Sequence, residues 1–171
     1  MRKFQYFLIL FIALSFAKSV NSQNALKCGL FTNFSLNNNS KIVTPSAVDI
    51  NFLKAINNEI GISTYMNKMI NEGSRKIIIS LYTTGTYNDL VAQINSKKYP
   101  FVSKNNFNKG SDLFSLFNFN FSNNNITRIV FSEPDSTLCI VIDIVSTDPV
   151  VNFKEFSTEL IDRITFTKVK K

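Results

Sequence analysis

The chain has 171 residues, a formal net charge of +7, two cysteines and no histidine. A chain of this length can bury an ordinary hydrophobic core as one domain, without a metal ion or a dense set of disulfides. The absence of histidine excludes Ser-His-Asp and Cys-His catalytic groups and the commonest zinc ligands, and the scattered lysines favour a solvated surface over a nucleic-acid interface.

Residues 1–22 have the features of a secretory signal peptide. Arg2 and Lys3 precede an apolar run, and the segment ends in the small-residue sequence Val20-Asn21-Ser22. The apolar run is shorter than the roughly 20 residues of a membrane-spanning helix, and no later segment approaches that length. We therefore expect a secreted, extracellular protein with a single globular domain over residues 23–171 and no membrane span.

The first part of the mature chain is predicted to form a strand and a long helix. Residues 26–32 are a short apolar run that ends at a polar segment, which is typical of a strand. Thr44-Pro45 supplies a helix N-cap followed by proline at the first helical position. Apolar residues then recur at three- and four-residue spacing as far as Gly73, which predicts a helix that Gly61 kinks or divides.

The middle of the chain is predicted to form a strand, a short helix and an edge strand. Residues 75–83 contain a β-branched run that is apolar on both faces, which indicates a buried strand. Thr86 and Asp89 have the spacing of a capping box, which predicts a helix. Residues 98–102 contain a proline that confines a strand to a sheet edge, and residues 105–110 are predicted to be a loop.

The last third of the chain is predicted to contain a hairpin and a C-terminal helix. Residues 111–121 fit either a helix or a strand. The first half of this segment can start a helix, whereas phenylalanine and asparagine alternate in its second half at the period of a strand. Residues 126–131 and 138–145 are strand-like, and the β-turn sequence Glu133-Pro134-Asp135-Ser136 between them predicts a hairpin. Asp148-Pro149 then opens the final helix.

The two cysteines, Cys28 and Cys139, both lie beyond the predicted leader. In an oxidising compartment an even number of cysteines most often means that they form disulfides, here a single one. Closing a loop of about 110 residues would stabilise the fold by roughly 4–5 kcal/mol in the chain-entropy treatment. The alternative is that Cys139 is a buried free thiol and that Cys28 pairs with another chain.

Four sequons of the form Asn-x-Ser/Thr begin at Asn33, Asn38, Asn120 and Asn125. Asn38 and Asn125 lie in asparagine-rich turns, where a glycan acceptor is reachable, so they are the favoured sites. Asn33 and Asn120 sit beside apolar residues and are less favoured. The sequence therefore predicts a glycoprotein.

The order of the predicted elements resembles that of von Willebrand factor A-like domains, which occur in secreted and adhesion proteins. In that family the first strand ends in Asp-x-Ser-x-Ser, whose oxygens help to hold a divalent cation. The matching segment here begins at Asn33, keeps Ser35 and ends at Asn37. Because asparagine replaces the first acid, the resemblance implies no working metal site and no cofactor, and it leaves Asn33, Ser35 and Asn37 as vestigial candidates.

This resemblance implies an α/β fold, with a sheet covered by helices on both faces. In such a sheet Cys28 and Cys139 would lie at the starts of neighbouring parallel strands and could bridge without distortion. The tight turn at residues 133–136 favours an alternative, because the family has a helix there. The alternative is an α+β fold, in which residues 116–145 form an antiparallel meander packed against the helices.

Four acidic residues close in sequence are the remaining candidates for acid–base catalysis. The group consists of Glu133, Asp135, Asp143 and Asp148. Asp135 suits a turn and Asp148 suits a helix cap, so a structural role is favoured for the group as a whole. Asp143 interrupts an apolar strand and needs a partner if its side chain points inward. An enzyme that uses Asp143 with another carboxylate is therefore the least favoured function.

The leading hypothesis is a secreted glycoprotein that acts as a non-catalytic binding or adhesion module. Its partner would be an extracellular protein or glycan, contacted by loops at the strand ends, and it would need no cofactor. The alternative is a carrier of small apolar ligands in a Phe-lined cavity. That cavity would involve Phe114, Phe117, Phe119 and Phe121, for which packing in the core is the competing interpretation.

Overall fold

The computed structural model describes residues 25–97, 99–134, 136–148 and 152–167, so the predicted signal peptide and Asp135 lie outside it. The described residues form ten strands and three helices. The strands are β1 Ala25–Lys27, β2 Thr32–Ser35, β3 Ser40–Val43, β4 Tyr65–Glu72, β5 Arg75–Tyr82, β6 Ser103–Lys109, β7 Asp112–Phe121, β8 Asn124–Ser132, β9 Cys139–Ser146 and β10 Ile164–Phe166. The helices are α1 Ala47–Ile60, α2 Tyr87–Ser96 and α3 Phe153–Asp162.

Seven of these strands form one antiparallel sheet in the order β3-β4-β5-β9-β8-β7-β6. The turn between β7 and β8 contains Ser122 and Asn123, both with positive φ, as tight hairpins require. Such a turn joins only antiparallel neighbours, since a parallel pair needs a crossover of a dozen or more residues. The predicted α/β fold, with a sheet covered by helices on both faces, is therefore wrong, whereas residues 116–145 do form an antiparallel meander, β7-β8-β9.

The seven-stranded sheet is buried on both sides. On one side, called here the helical face, α1 and α2 pack through residues such as Ile56 and Leu90. On the other, called the second-sheet face, the antiparallel sheet β1-β2-β10 and α3 pack, with Phe34 in the core. The central strand β9 serves both faces, because Val141 points to the helical face and Ile142 to the second-sheet face.

Two basic side chains connect the second sheet and α3 to the main sheet. Arg163, between α3 and β10, forms a bidentate ion pair with Glu72 of β4, with nitrogen–oxygen distances of 2.8 and 2.9 Å. Lys109, at the end of β6, donates to the carbonyl oxygens of Ile161 and Asp162 in the last turn of α3 and to that of Ile164, the first residue of β10. A cation at this position complements the helix dipole, so the Lys109 ammonium has a structural role.

The predicted long helix is wrong beyond Gly61. Helix α1 begins after the N-cap Ser46, two residues later than predicted, and ends where Gly61 adopts a φ of 79°. Residues 65–72 form β4 rather than a continuation of the helix. The physical reason is tertiary: Met69 and Ile70 pack into hydrophobic cores on opposite faces of the sheet, which consecutive residues do only in a strand.

Several predicted elements are confirmed. Strand β5 occupies the predicted segment 75–83, and Thr86 and Asp89 form a capping box at α2. The predicted hairpin is formed by β8 and β9. The C-terminal helix is also present, but α3 begins at Phe153 behind the N-cap Asn152 and not at the predicted Asp148-Pro149; residues 149–151 lie outside the described residues.

The predictions around the second edge of the sheet are wrong. Residues 99–102 are not a strand, and the edge strand is β6, of which residues 105–109 were predicted to be a loop. A polar strand is stable here because β6 pairs with β7 along its length while its other edge is open to water. The predicted first strand, residues 26–32, is also divided between the short strands β1 and β2.

Candidate functional site

The inward-pointing acid Asp143 is held by a buried arginine. Asp143 on β9 lies directly opposite Arg128 on β8, and both side chains are 0% exposed. Arg128 Nε donates to Asp143 Oδ1 at 2.6 Å, and its Nη2 donates to Oδ2 at 2.9 Å. The same Nη2 also donates to Asn57 Oδ1 of α1 at 2.9 Å. These bonds neutralise the buried carboxylate and tie α1 to the sheet, which is a structural role.

The other described acids of this group also have structural partners. Glu133 is almost fully buried, and its Oε1 accepts hydrogen bonds from the backbone N–H groups of Phe31 and Thr32 at 2.6 and 2.9 Å. Glu133 therefore fastens the loop between β1 and β2 to the end of β8. Asp148 accepts a hydrogen bond from the hydroxyl of Ser74 at 2.8 Å. Asp135 lies outside the described residues.

Both cysteines are free thiols in the structure, without the predicted bridge between them. Cys28 packs in the core of the second-sheet face, whereas Cys139 packs in the core of the helical face, so the main sheet separates them. The inference from neighbouring parallel strands does not apply, because this sheet is antiparallel. Burial raises the pKa of the Cys28 thiol to about 12, and burial also raises the pKa of Cys139, so both groups are protonated at neutral pH.

Three sequons, at Asn38, Asn120 and Asn125, lie at the same end of the main sheet, as the strand register shows. Asn120 on β7 and Asn125 on β8 are directly opposite each other next to the β7–β8 turn. Asn38 is in the turn before β3, and β3 begins at Ser40, at the end of the sheet where β4 and β5 are joined. Asn38 and Asn120 are exposed, whereas Asn125 is half-buried and donates to the carbonyl oxygen of Asp148 at 3.2 Å.

Two of the three vestigial metal candidates have side-chain hydrogen bonds within the protein. Asn33, which is also the fourth sequon, donates from Nδ2 to the Thr167 hydroxyl at 3.0 Å. Asn37 Oδ1 accepts from the Ser40 hydroxyl at 2.9 Å, and Ser35 lies at the end of β2. The described residues contain no group of three or more histidine, cysteine, aspartate or glutamate side chains that could hold a metal ion.

The phenylalanines predicted to line a cavity point to both faces of the sheet. Phe114 belongs to the core of the second-sheet face, whereas Phe117 and Phe119 belong to the core of the helical face. Phe101 packs on Phe117 and Phe119 with ring centroids 5.3 and 5.6 Å away, and Phe121 is half-buried against α1. These rings contribute to two separate cores, and the sheet lies between them.

A surface cleft of about 240 Å³ lies on the helical face, between α2 and the edge of the main sheet. We call it the edge cleft. Helix α2 forms one wall, and strands β6 and β7 form the other. Its lining residues are Val91, Asn95, Lys104, Asn105, Asn106, Ser115, Leu116 and Phe117.

A chain of hydrogen-bonding side chains runs along the edge cleft. The Ser115 hydroxyl donates to Asn106 Oδ1 at 2.8 Å, and the Tyr87 hydroxyl lies 2.6 Å from the Ser115 oxygen. Because Ser115 has only one hydroxyl proton, Tyr87 is the donor to Ser115. Burial raises the pKa of Tyr87, so its hydroxyl keeps its proton at neutral pH. The chain ends at Asn106, whose side-chain amide is exposed and can donate outward.

Lys104 places a positive charge at the mouth of the edge cleft. Its ammonium nitrogen donates to Asn95 Oδ1 of α2 at 3.0 Å and lies 4.5 Å from the centroid of the Phe101 ring. None of the ion pairs among the described residues involves Lys104. The site therefore offers one ammonium group and the side-chain amides of Asn95, Asn105 and Asn106, which suit a carboxylate or another oxygen-rich group.

The sequence predictions missed this site because its strand was predicted to be a loop. One signal was present: Lys104, Asn106 and Asn108 recur at every second position, which is the spacing of one face of a strand. The signal is weak because these residues are polar and frequent in this chain. The hydrogen-bonding partners Tyr87 and Ser115 are far away in sequence and come together only in the fold.

No protein-family model, no curated protein and no solved structure matches this chain. Within the residues that the structure describes, the helices lack the length and apolar character needed to cross a membrane.

Proposed function

We propose that this protein is a secreted glycoprotein that acts as a non-catalytic binding or adhesion module, and that the edge cleft receives its protein or glycan partner. The observation that carries the proposal is the exposed ammonium group of Lys104 beside the hydrogen-bonded chain Tyr87–Ser115–Asn106. Charge-assisted and neutral donors side by side in an open cleft are suited to recognition of oxygen-rich groups.

The surroundings of the acidic side chains support a function without catalysis. Asp143 is neutralised by Arg128, and Glu133 holds the backbone of a loop. The exposure of Asn38 and Asn120 is consistent with glycans at one end of the sheet, and the features of residues 1–22 support secretion. The edge cleft, rather than the loops at the strand ends, is our preferred contact site because its donors are already positioned by a helix and two strands.

The experiment compares two charge reversals on a printed glycan array and a printed peptide array. Lys104→Glu changes the edge cleft, and Lys41→Glu is the matched control because Lys41 is exposed on β3, the strand at the opposite edge. We expect saturable binding by the wild type and by Lys41→Glu, with binding by Lys104→Glu weaker by about tenfold. Absence of saturable binding on both arrays, or equal binding by all three proteins, would contradict the proposal.

A further inference from the structure

Strand β6 is an open edge of the main sheet. It is the last strand in the order, and among the described residues no strand pairs with its outer side. Lys104, Asn105, Asn106 and Asn108 are all exposed, so the middle of this strand is accessible to water. An edge strand has backbone N–H and C=O groups that point away from the sheet, and these can pair with an added strand.

The length of β6 distinguishes it from the other edges. It has seven residues, whereas β3, at the opposite edge of the same sheet, has four. The edge strands β1 and β10 of the second sheet have three residues each. Because each additional residue extends the hydrogen-bonded ladder, β6 offers the longest pairing surface of these four edges.

The edge cleft adjoins this pairing surface. Lys104 and Asn106 lie opposite Phe117 and Ser115 of β7, whose side chains are on the helical face. On an added strand, every second side chain would therefore stand on the helical face next to Lys104 and Asn106. The same segment would bond to β6 through its backbone and place alternate side chains at the mouth of the edge cleft.

The charges of β6 indicate what those side chains should be. The strand contains Lys104 and Lys109 and no acidic residue. The Lys109 ammonium is already bound to carbonyl oxygens at the end of α3 and the start of β10, whereas the contacts of the Lys104 ammonium within the described residues are Asn95 and the Phe101 ring. An acidic side chain opposite Lys104 would form a favourable cross-strand pair.

A second copy of this chain fits the edge less well. If two β6 strands paired antiparallel about Asn106, Lys104 of each copy would face Asn108 of the other, and neither strand would supply an acid. We therefore propose that the partner of the edge cleft is an extended acidic polypeptide segment that adds to β6 as an eighth strand. This inference rests on the proposed binding function and specifies its partner.

The probe is the heptapeptide Val-Glu-Val-Glu-Val-Glu-Val with a fluorescent label, measured by fluorescence anisotropy against the secreted, full-length protein. One control peptide has lysine in place of each glutamate, and the other has proline in place of its central glutamate. We expect both control peptides, and the Lys104→Glu protein with the acidic peptide, to show binding weaker by about tenfold. The Lys41→Glu protein should bind as the wild type does. Hydrogen exchange of the backbone amides of residues 103–109 should slow when the acidic peptide is bound.

Each contrary result has a distinct meaning. Equal binding of the proline-containing peptide, or unchanged exchange in residues 103–109, would overturn strand addition, because a purely electrostatic contact needs no ladder. A concentration-dependent dimer in sedimentation velocity, with β6 amides protected in the protein alone, would overturn it in favour of a second copy. Absence of peptide binding, together with Lys104-dependent binding on the glycan array, would overturn the acidic segment and leave the proposed binding function standing.

Discussion

The buried ion pair between Arg128 and Asp143 makes a strong prediction about stability. In the variant Asp143→Asn, the side chain keeps nearly the same shape but loses its charge, so the Arg128 guanidinium remains buried beside neutral groups. Both side chains are 0% exposed, and two of the three hydrogen bonds that Arg128 donates go to Asp143. Removing one partner of a fully buried pair costs about 3–5 kcal/mol, which is a large fraction of a typical domain stability of about 5–15 kcal/mol.

The free energy of unfolding should be measured by urea titration with circular dichroism. Asp148→Asn is the control, because Asp148 is exposed and accepts a hydrogen bond from Ser74, so its loss should cost about 0.5 kcal/mol or less. The double variant Arg128→Met with Asp143→Leu removes both charges and should recover most of the loss. A loss below about 1 kcal/mol in Asp143→Asn would refute the reasoning, because an uncompensated buried charge cannot be that inexpensive.

Three further predictions concern the cysteines, the pH dependence and the glycans. In denaturant a thiol reagent should react with both cysteines without prior reduction. In the native protein it should react with neither on the same timescale, because both thiols are buried. If the cysteines reacted only after reduction, the free thiols would be contradicted. Hydrogen bonds from Lys76 and Ser46 lower the pKa of Asp49 from 3.8 to about 2, so its contribution is present above pH 3.8 and is lost as the pH falls towards 2. The stability difference between the wild type and Asp49→Asn should therefore shrink over that range, and a constant difference would count against the ion pair. Mass spectrometry of the protein expressed through a eukaryotic secretory pathway should find glycans at exposed Asn120 and not at Asn125, whose amide is already bonded. The reverse occupancy would show that exposure in the fold does not decide the acceptor.

Local signals predicted those elements that short stretches of sequence determine. The capping box at Thr86 and Asp89, the β-branched strand β5 and the β8–β9 hairpin each depend on neighbouring residues, and each is present. An irregularity at Gly61 was also predicted, as a kink or division of a longer helix, whereas the helix ends there with Gly61 in the left-handed conformation. The error was to continue the helical pattern beyond it, where apolar spacing fits both a helix and a strand buried on two faces.

The candidate site could not be predicted in the same way. Strand β6 has few apolar residues, and its conformation depends on pairing with β7. Tyr87, Ser115 and Asn106 belong to three different elements, so their hydrogen-bonded chain exists only after α2 packs on the sheet. The sequence left open whether Asp143 points inward and needs a partner, and that Arg128 is the partner depends on the register of two strands.

The sequence alone determined some local conformations, namely the capping box at Thr86 and Asp89, the tight turns and the strands with strong β propensity, because these depend on interactions between residues a few positions apart. Only the tertiary structure decided the antiparallel order of the sheet, the separation of Cys28 and Cys139 by that sheet, and the assembly of the edge cleft. Strand order and register depend on contacts between residues far apart in the chain, and the alternation of side chains across a strand then decides which residues can meet.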